Sequence, residues 1–140
     1  MSENVHEHRL RVRYAETDQM GVAHHASYLI YLEEARTRMM EARGCSYAEC
    51  EKSGVGLPVR RLELRYRSSA YYDDELRVLT RVRGMRAASV TFEYELRRAA
   101  DDALIATAWT ELACVDLAST SRKVIPLPAS LRELLGPVAD

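Results

Sequence analysis

Only one stretch of this chain repeats its apolar residues at helical spacing for long enough to make a long helix, and that limits the folds open to it. From about residue 26 to 43, Tyr28, Tyr31, Leu32, Ala35, Met39 and Ala42 recur at steps of three and four. Glu33, Glu34, Arg36, Arg38, Glu41 and Arg43 fill the other positions, and Gly44 is a natural stop. Elsewhere the period is two. Residues 8–14 alternate Leu10, Val12 and Tyr14 with arginines, and after Pro58 Leu62, Leu64 and Tyr66 alternate with charged residues. Residues 76–82 predict a third strand, and Val90, Phe92, Tyr94 and Leu96 mark a fourth. Residues 104–115 are apolar on both faces, which places the fifth strand near the middle of the sheet. Gly84 and residues 99–102 mark tight connections, while residues 46–53 and Leu131, Leu134 and Leu135 predict short helices.

Strands joined by short loops must be antiparallel neighbours, because a parallel pair needs a crossover of about a dozen residues or more. The long helix, about 17 residues, spans roughly 25 Å. Strands of about 8 to 11 residues span roughly 27–36 Å, so helix and sheet match in length. The expected class is α+β: one domain over residues 1–140, a curved antiparallel sheet of about five strands wrapped around one long central helix. One helix cannot cover all of such a sheet, and pairing with a second copy would cover the remainder.

Composition narrows the function. At 140 residues and 47% hydrophobic content, the chain can bury a core without disulfides or metal. The net charge of −1 gives no general attraction for nucleic acid. No apolar run reaches the roughly 18 residues needed to span a bilayer. A polar N-terminus and three cysteines without metal or redox spacing point to the cytoplasm. The 20 basic residues include only Lys52 and Lys123 as lysines. Coding bias explains most of the arginines; phosphate binding would suit some of them.

The segment before the long helix carries the candidate chemistry. Asp18, Gly21, His24 and His25 lie in a loop leading to a helix start, where free N–H groups and a partial positive charge suit a developing oxyanion. On local sequence alone, a loop aspartate is more often a turn-maker than a catalyst, and Gly21 reads as a plain turn glycine. Ser27 reads as an N-cap, and no third ligand stands at metal spacing near the histidines.

The run Tyr14 … Thr17-Asp18-x-x-Gly21-Val22-x-x-His25-Ala26-Ser27-Tyr28 … Glu33-x-Ala35-Arg36-Thr37 resembles the signature of YbgC-like acyl-CoA thioesterases. These form part of the 4-hydroxybenzoyl-CoA thioesterase branch of the hotdog superfamily. The likeness continues through residues 60–66, 73–76 and 85–89 and covers roughly residues 8–128. It implies a hotdog fold, a homodimer or homotetramer with active sites at the dimer interface, and no metal or organic cofactor. It places Asp18 on the catalytic carboxylate and His25 where a backbone N–H meets the thioester carbonyl. Gly21, Val22 and Tyr28 fall at substrate-binding positions, Tyr28 near the acyl pocket. His24 departs from the aromatic or apolar residue usual at its position, which bears on acyl preference.

The implied reaction is acyl-CoA hydrolysis, with Asp18 attacking directly or activating water. Glu33 and Glu34 are rival carboxylates, and helical pairing with Arg36 or Arg38 accounts for them as well. Arg60, Arg61, Arg83 and Arg86 are candidates for CoA phosphates. Two other classes fit the same fold: a hotdog dehydratase or isomerase, and a non-catalytic acyl-CoA binding protein.

Overall fold

A computed structural model describes residues 4–136 of the chain. The helical spacing becomes α1, Ser27–Ala42. Five strands form one antiparallel sheet: β1 (His6–Arg11), β3 (Val59–Tyr66), β4 (Glu75–Met85), β5 (Ser89–Arg98) and β6 (Leu104–Ala113), in the order β1-β4-β5-β6-β3. A second, two-stranded sheet pairs β2 (Val55–Gly56) with β7 (Val115–Asp116). Short helices α2 (Tyr47–Lys52) and α3 (Ala129–Leu135) complete the fold. The α+β layout of helix and wrapped sheet agrees with the expectation.

Alternation decides which face of the sheet meets α1. Leu76, Val78 and Val82 of β4 and Val90, Phe92, Tyr94 and Leu96 of β5 are buried, while Arg77, Arg81, Glu93 and Glu95 between them are not. Tyr28, Tyr31, Leu32, Ala35, Met39 and Met40 of α1 pack into the same core. Each large side chain removed from water there contributes about 1.5–3 kcal/mol. Two α1 positions differ from the helical reading. Ala42 is exposed, whereas Arg36 is 4% exposed and reaches the Tyr94 hydroxyl at 3.4 Å. A guanidinium on a long stem can lie within the apolar stripe when a polar core group accepts from it.

Three strand expectations also change. Tyr14 leaves the strand and begins a 3-10 turn, Tyr14–Glu16, with its ring exposed. Gly84 does not turn the chain. It sits inside β4 at a bulge between Val82 and Gly84, and the hairpin closes at residues 86–88, where the Arg86 N–H donates to the Ser89 carbonyl. β6 lies one place from the edge, because β3 pairs beyond it. That leaves β3 as an edge strand whose core-facing Leu62 and Tyr66 are 43% and 51% exposed.

The loop from β1 to α1 is anchored by one buried side chain. The Glu16 carboxylate accepts from the Arg13 N–H (2.8 Å), the Arg13 guanidinium (3.0 and 3.1 Å) and the Tyr31 hydroxyl (2.9 Å). Its main-chain carbonyl accepts from the His24 N–H (2.7 Å) and the Ser27 hydroxyl (3.0 Å). Burial pushes the Glu16 carboxyl upward. Bonds from the Arg13 amide, the Tyr31 hydroxyl and the Arg13 guanidinium outweigh it and hold the group below the ordinary glutamate value. Burial, reinforced by Glu16, pushes the Tyr31 phenol well above its usual range. Glu16→Ala should cost about 1–3 kcal/mol in chemical denaturation, because the Tyr31 hydroxyl is left buried without its acceptor. A depressed carboxyl stabilises the fold above its unfolded value, about 4.3, and that stability is lost as pH falls through the lower folded value. Wild-type stability should therefore fall more steeply than that of Glu16→Gln on acidification below about pH 4.3.

Candidate active site

Asp18 is a turn-maker by geometry. Its Oδ1 accepts from the Met20 N–H at 2.8 Å and the Val22 N–H at 3.4 Å, and its own N–H donates to the Val22 carbonyl at 2.9 Å. Gly21, at φ +77°, supplies the left-handed residue of the turn and donates to the Asp18 carbonyl. The small hairpin docks on the segment after β3: Val22 bridges Tyr71, and the Ala23 N–H donates to the Ala70 carbonyl at 2.7 Å. Asp18 Oδ2 has no partner among the described residues. One oxygen is thus tethered to the backbone and the other is available.

The start of α1 faces the same place. Ala26 is the N-cap and offers no side-chain oxygen, and no acidic residue occupies the first turn. Ser27 is not the cap; its hydroxyl is committed to the Glu16 carbonyl. The Ser27 and Leu29 amides bond to the His24 and Ala26 carbonyls. The His25 amide has no acceptor among the described residues. The Ala26 N–H donates to Nδ1 of His24, whose ring lies 4.1 Å from that of His25, centroid to centroid. The His25 carbonyl accepts from the Tyr66 hydroxyl at 2.9 Å, so the end of β3 fixes the turn that enters the helix.

A cleft of about 370 Å³ joins these groups, and Asp18, Val22, His25, Tyr28, Tyr66 and Arg67 are among its lining residues. Tyr28 packs edge-on to Tyr66 at 5.2 Å and to Tyr31 at 5.9 Å, and its hydroxyl accepts from the Ala70 N–H at 3.3 Å. Burial pushes the Tyr28 phenol upward. Of the five residues singled out from sequence, Asp18, Val22, His25 and Tyr28 therefore meet in one cleft, while Gly21 shapes the turn behind it. Tyr66, Arg67, Ser68 and Ser69 also line it. In sequence they are merely the end of an alternating strand, and nothing local links them to residue 18.

The rival carboxylates lie elsewhere. Glu34 contacts His8 at 2.5 Å, and Glu33 approaches Arg36 at 4.0 Å. The pairing of Glu34 is with β1 and not with Arg38, which instead bonds Glu41. Arg60 and Arg61 both grip the buried Glu111 at 2.7 and 2.6 Å, and Arg83 lies 3.7 Å from Glu93. Among the described residues no cluster of three or more His, Cys, Asp or Glu side chains could hold a metal ion. No helix there is long and apolar enough to cross a membrane.

Comparison with known proteins identifies the family. Residues 12–135 match the model of the thioesterase-like superfamily. The chain is 32% identical over 117 residues to the acyl-CoA thioester hydrolase YbgC of Escherichia coli, covering 84% of this chain and 87% of that protein. It is 32% identical over 118 residues to the acyl-CoA thioesterase YbgC of Haemophilus influenzae, covering 84% and 85%. The crystal structure of a DHNA-CoA thioesterase from Staphylococcus aureus superposes with a TM-score of 0.85 at 32% identity, covering 92% of this chain and 85% of that one. With the helix-in-sheet architecture and a match across nearly the whole length, the chain belongs to the thioesterase-like hotdog superfamily.

Proposed function

We propose that the protein hydrolyses acyl-CoA thioesters to a free acid and CoA, with Asp18 and the His25 amide as the reacting groups. The observation that carries this reading is the free Oδ2 of a backbone-tethered Asp18 in the same cleft as an unpartnered amide at a helix start. The relatives named as acyl-CoA thioesterases support the substrate class. A thioester needs an oxygen nucleophile and a stabilised oxyanion, while the thiolate leaves with little acid assistance. Asp18 Oδ2 supplies the first, by attacking the carbonyl carbon to give a mixed anhydride or by taking a proton from the attacking water. The His25 N–H, backed by the positive end of α1, holds the oxyanion. Collapse expels CoA thiolate. On the anhydride route a water then hydrolyses the anhydride and restores the Asp18 carboxylate. On the water route collapse itself gives the acid, and the proton held by Asp18 passes to the thiolate. Val22 and Tyr28 provide the apolar wall for the acyl group.

The active unit in this reading is a dimer joined through β3. The strand pairs only with β6 inside the protomer, and Val59, Leu62 and Tyr66 are exposed along it. Such an edge invites pairing with a second copy. Antiparallel pairing sets the Tyr66 end of one β3 against the Val59 end of the other and puts each cleft at the seam.

Asp18→Asn should lower kcat by about 10²–10⁴-fold against a panel of aliphatic and aromatic acyl-CoA esters. Circular dichroism and CoA-ester binding should be preserved, because the amide oxygen can still accept from Met20 and Val22. Turnover near the wild-type rate would remove Asp18 from the reaction. Leu62→Lys, at a site exposed within the protomer, should fold normally yet elute as a monomer by light scattering with most activity lost. An active monomer would refute the shared cleft.

A further inference from the structure

The chain carries eighteen arginines, and the structure separates them. Sixteen have a partner for the guanidinium among the described residues. Most bind carboxylates, as Arg81 binds Glu93 and Arg98 binds Asp74; others bind carbonyls, as Arg43 binds those of Leu134 and Leu135. Only Arg67 and Arg86 place their guanidinium against nothing among the described residues. Arg86 sits in the β4–β5 turn at the far end of the sheet. Arg67 lines the Asp18 cleft.

Its surroundings suit an anchored but uncommitted cation. The Arg67 backbone is fixed, since its N–H donates to the Ile105 carbonyl at 2.8 Å. The Ser68 hydroxyl next to it donates to the Leu104 carbonyl at 2.6 Å. Arg67 also borders a second hollow of about 610 Å³ on the outer face of the sheet, with Arg65, Arg81, Glu93 and Trp109. The charges of that hollow neutralise one another: Arg65 binds Glu63 at 3.1 Å, and Arg81 binds Glu93. Arg67 thus stands where the catalytic cleft opens onto the outer face, holding a positive charge that no neighbour compensates.

Resting on the thioesterase reading, we infer that Arg67 is an anion-binding residue of this cleft that engages an oxyanion group of the substrate away from the thioester. A planar guanidinium suits two oxygens of a phosphate or a carboxylate. Two sources supply that chemistry: the phosphates of the CoA arm, or a carboxylate at the far end of the acyl chain.

The test measures KM and kcat for Arg67→Gln, Arg67→Lys and the control Arg65→Gln with four substrates. These are butyryl-CoA, glutaryl-CoA and the same two acyl groups on N-acetylcysteamine, which lacks phosphates. If the CoA phosphates are the ligand, Arg67→Gln raises KM about tenfold for both CoA esters and leaves both N-acetylcysteamine esters unchanged. If an acyl carboxylate is the ligand, KM rises about tenfold for the two glutaryl esters alone. In either case kcat stays within about threefold, Arg67→Lys recovers part of the loss, and Arg65→Gln behaves as wild type. An unchanged KM for all four substrates overturns the assignment. So do an equal effect of Arg65→Gln, a uniform fall in kcat, and loss of the dimer in Arg67→Gln. Should Asp18→Asn keep its turnover while Arg67→Gln shows the KM pattern, the Asp18 reading fails and the anion site stands.

Discussion

The geometry at the cleft depends on a carboxylate that takes no part in the proposed chemistry. Glu16 binds the end of β1 through Arg13, the body of α1 through Tyr31, and the entry to α1 through the bonds its carbonyl accepts from His24 and Ser27. A loop of ordinary polar residues would sample many conformations at a cost of about 1–2 kcal/mol of entropy per residue fixed. Here one buried side chain, satisfied on both oxygens, fixes both ends of the loop. Asp18 and the His25 amide lie between those ends and inherit their position from it.

A second consequence of the same arrangement is a division of labour inside Asp18. The bonds from Met20 and Val22 go to Oδ1 alone. The turn is therefore stabilised without using Oδ2, the oxygen to which the proposed mechanism gives the reaction. The reading of Asp18 as a turn-former and its reading as a reacting group are not alternatives, because the two oxygens of a carboxylate can serve them separately.

What could be read from sequence follows what is local. The long helix, the five long strands and the short helix near residues 46–53 announce themselves through patterns a few residues long. The loop signature and its likeness to known thioesterases single out Asp18 and His25, and the structure brings the two into one cleft. Apart from the local 3-10 turn at Tyr14, the main departures are long-range. Arg36 reads as a polar-face residue, because its acceptor, Tyr94, lies 58 residues away. Leu62 and Tyr66 alternate like buried residues, yet sit on an edge whose exposure depends on sheet order. Gly84 resembles a turn residue, and only the register of β4 with β5 shows it beside a bulge. Arg67 is one of eighteen similar residues until sixteen of them are seen to have partners and Arg86 to lie in the turn at the far end of the sheet.

The bare N-cap at Ala26 has a thermodynamic side. An aspartate, serine or asparagine there would ordinarily strengthen a helix by about 1 kcal/mol by accepting from its first amides. In the proposed mechanism such an oxygen would sit beside the His25 amide and compete with the substrate's developing negative charge. The longest helix is thus left without a side-chain cap at one end, and on the proposed mechanism a stabilising substitution at residue 26 would trade turnover for heat resistance.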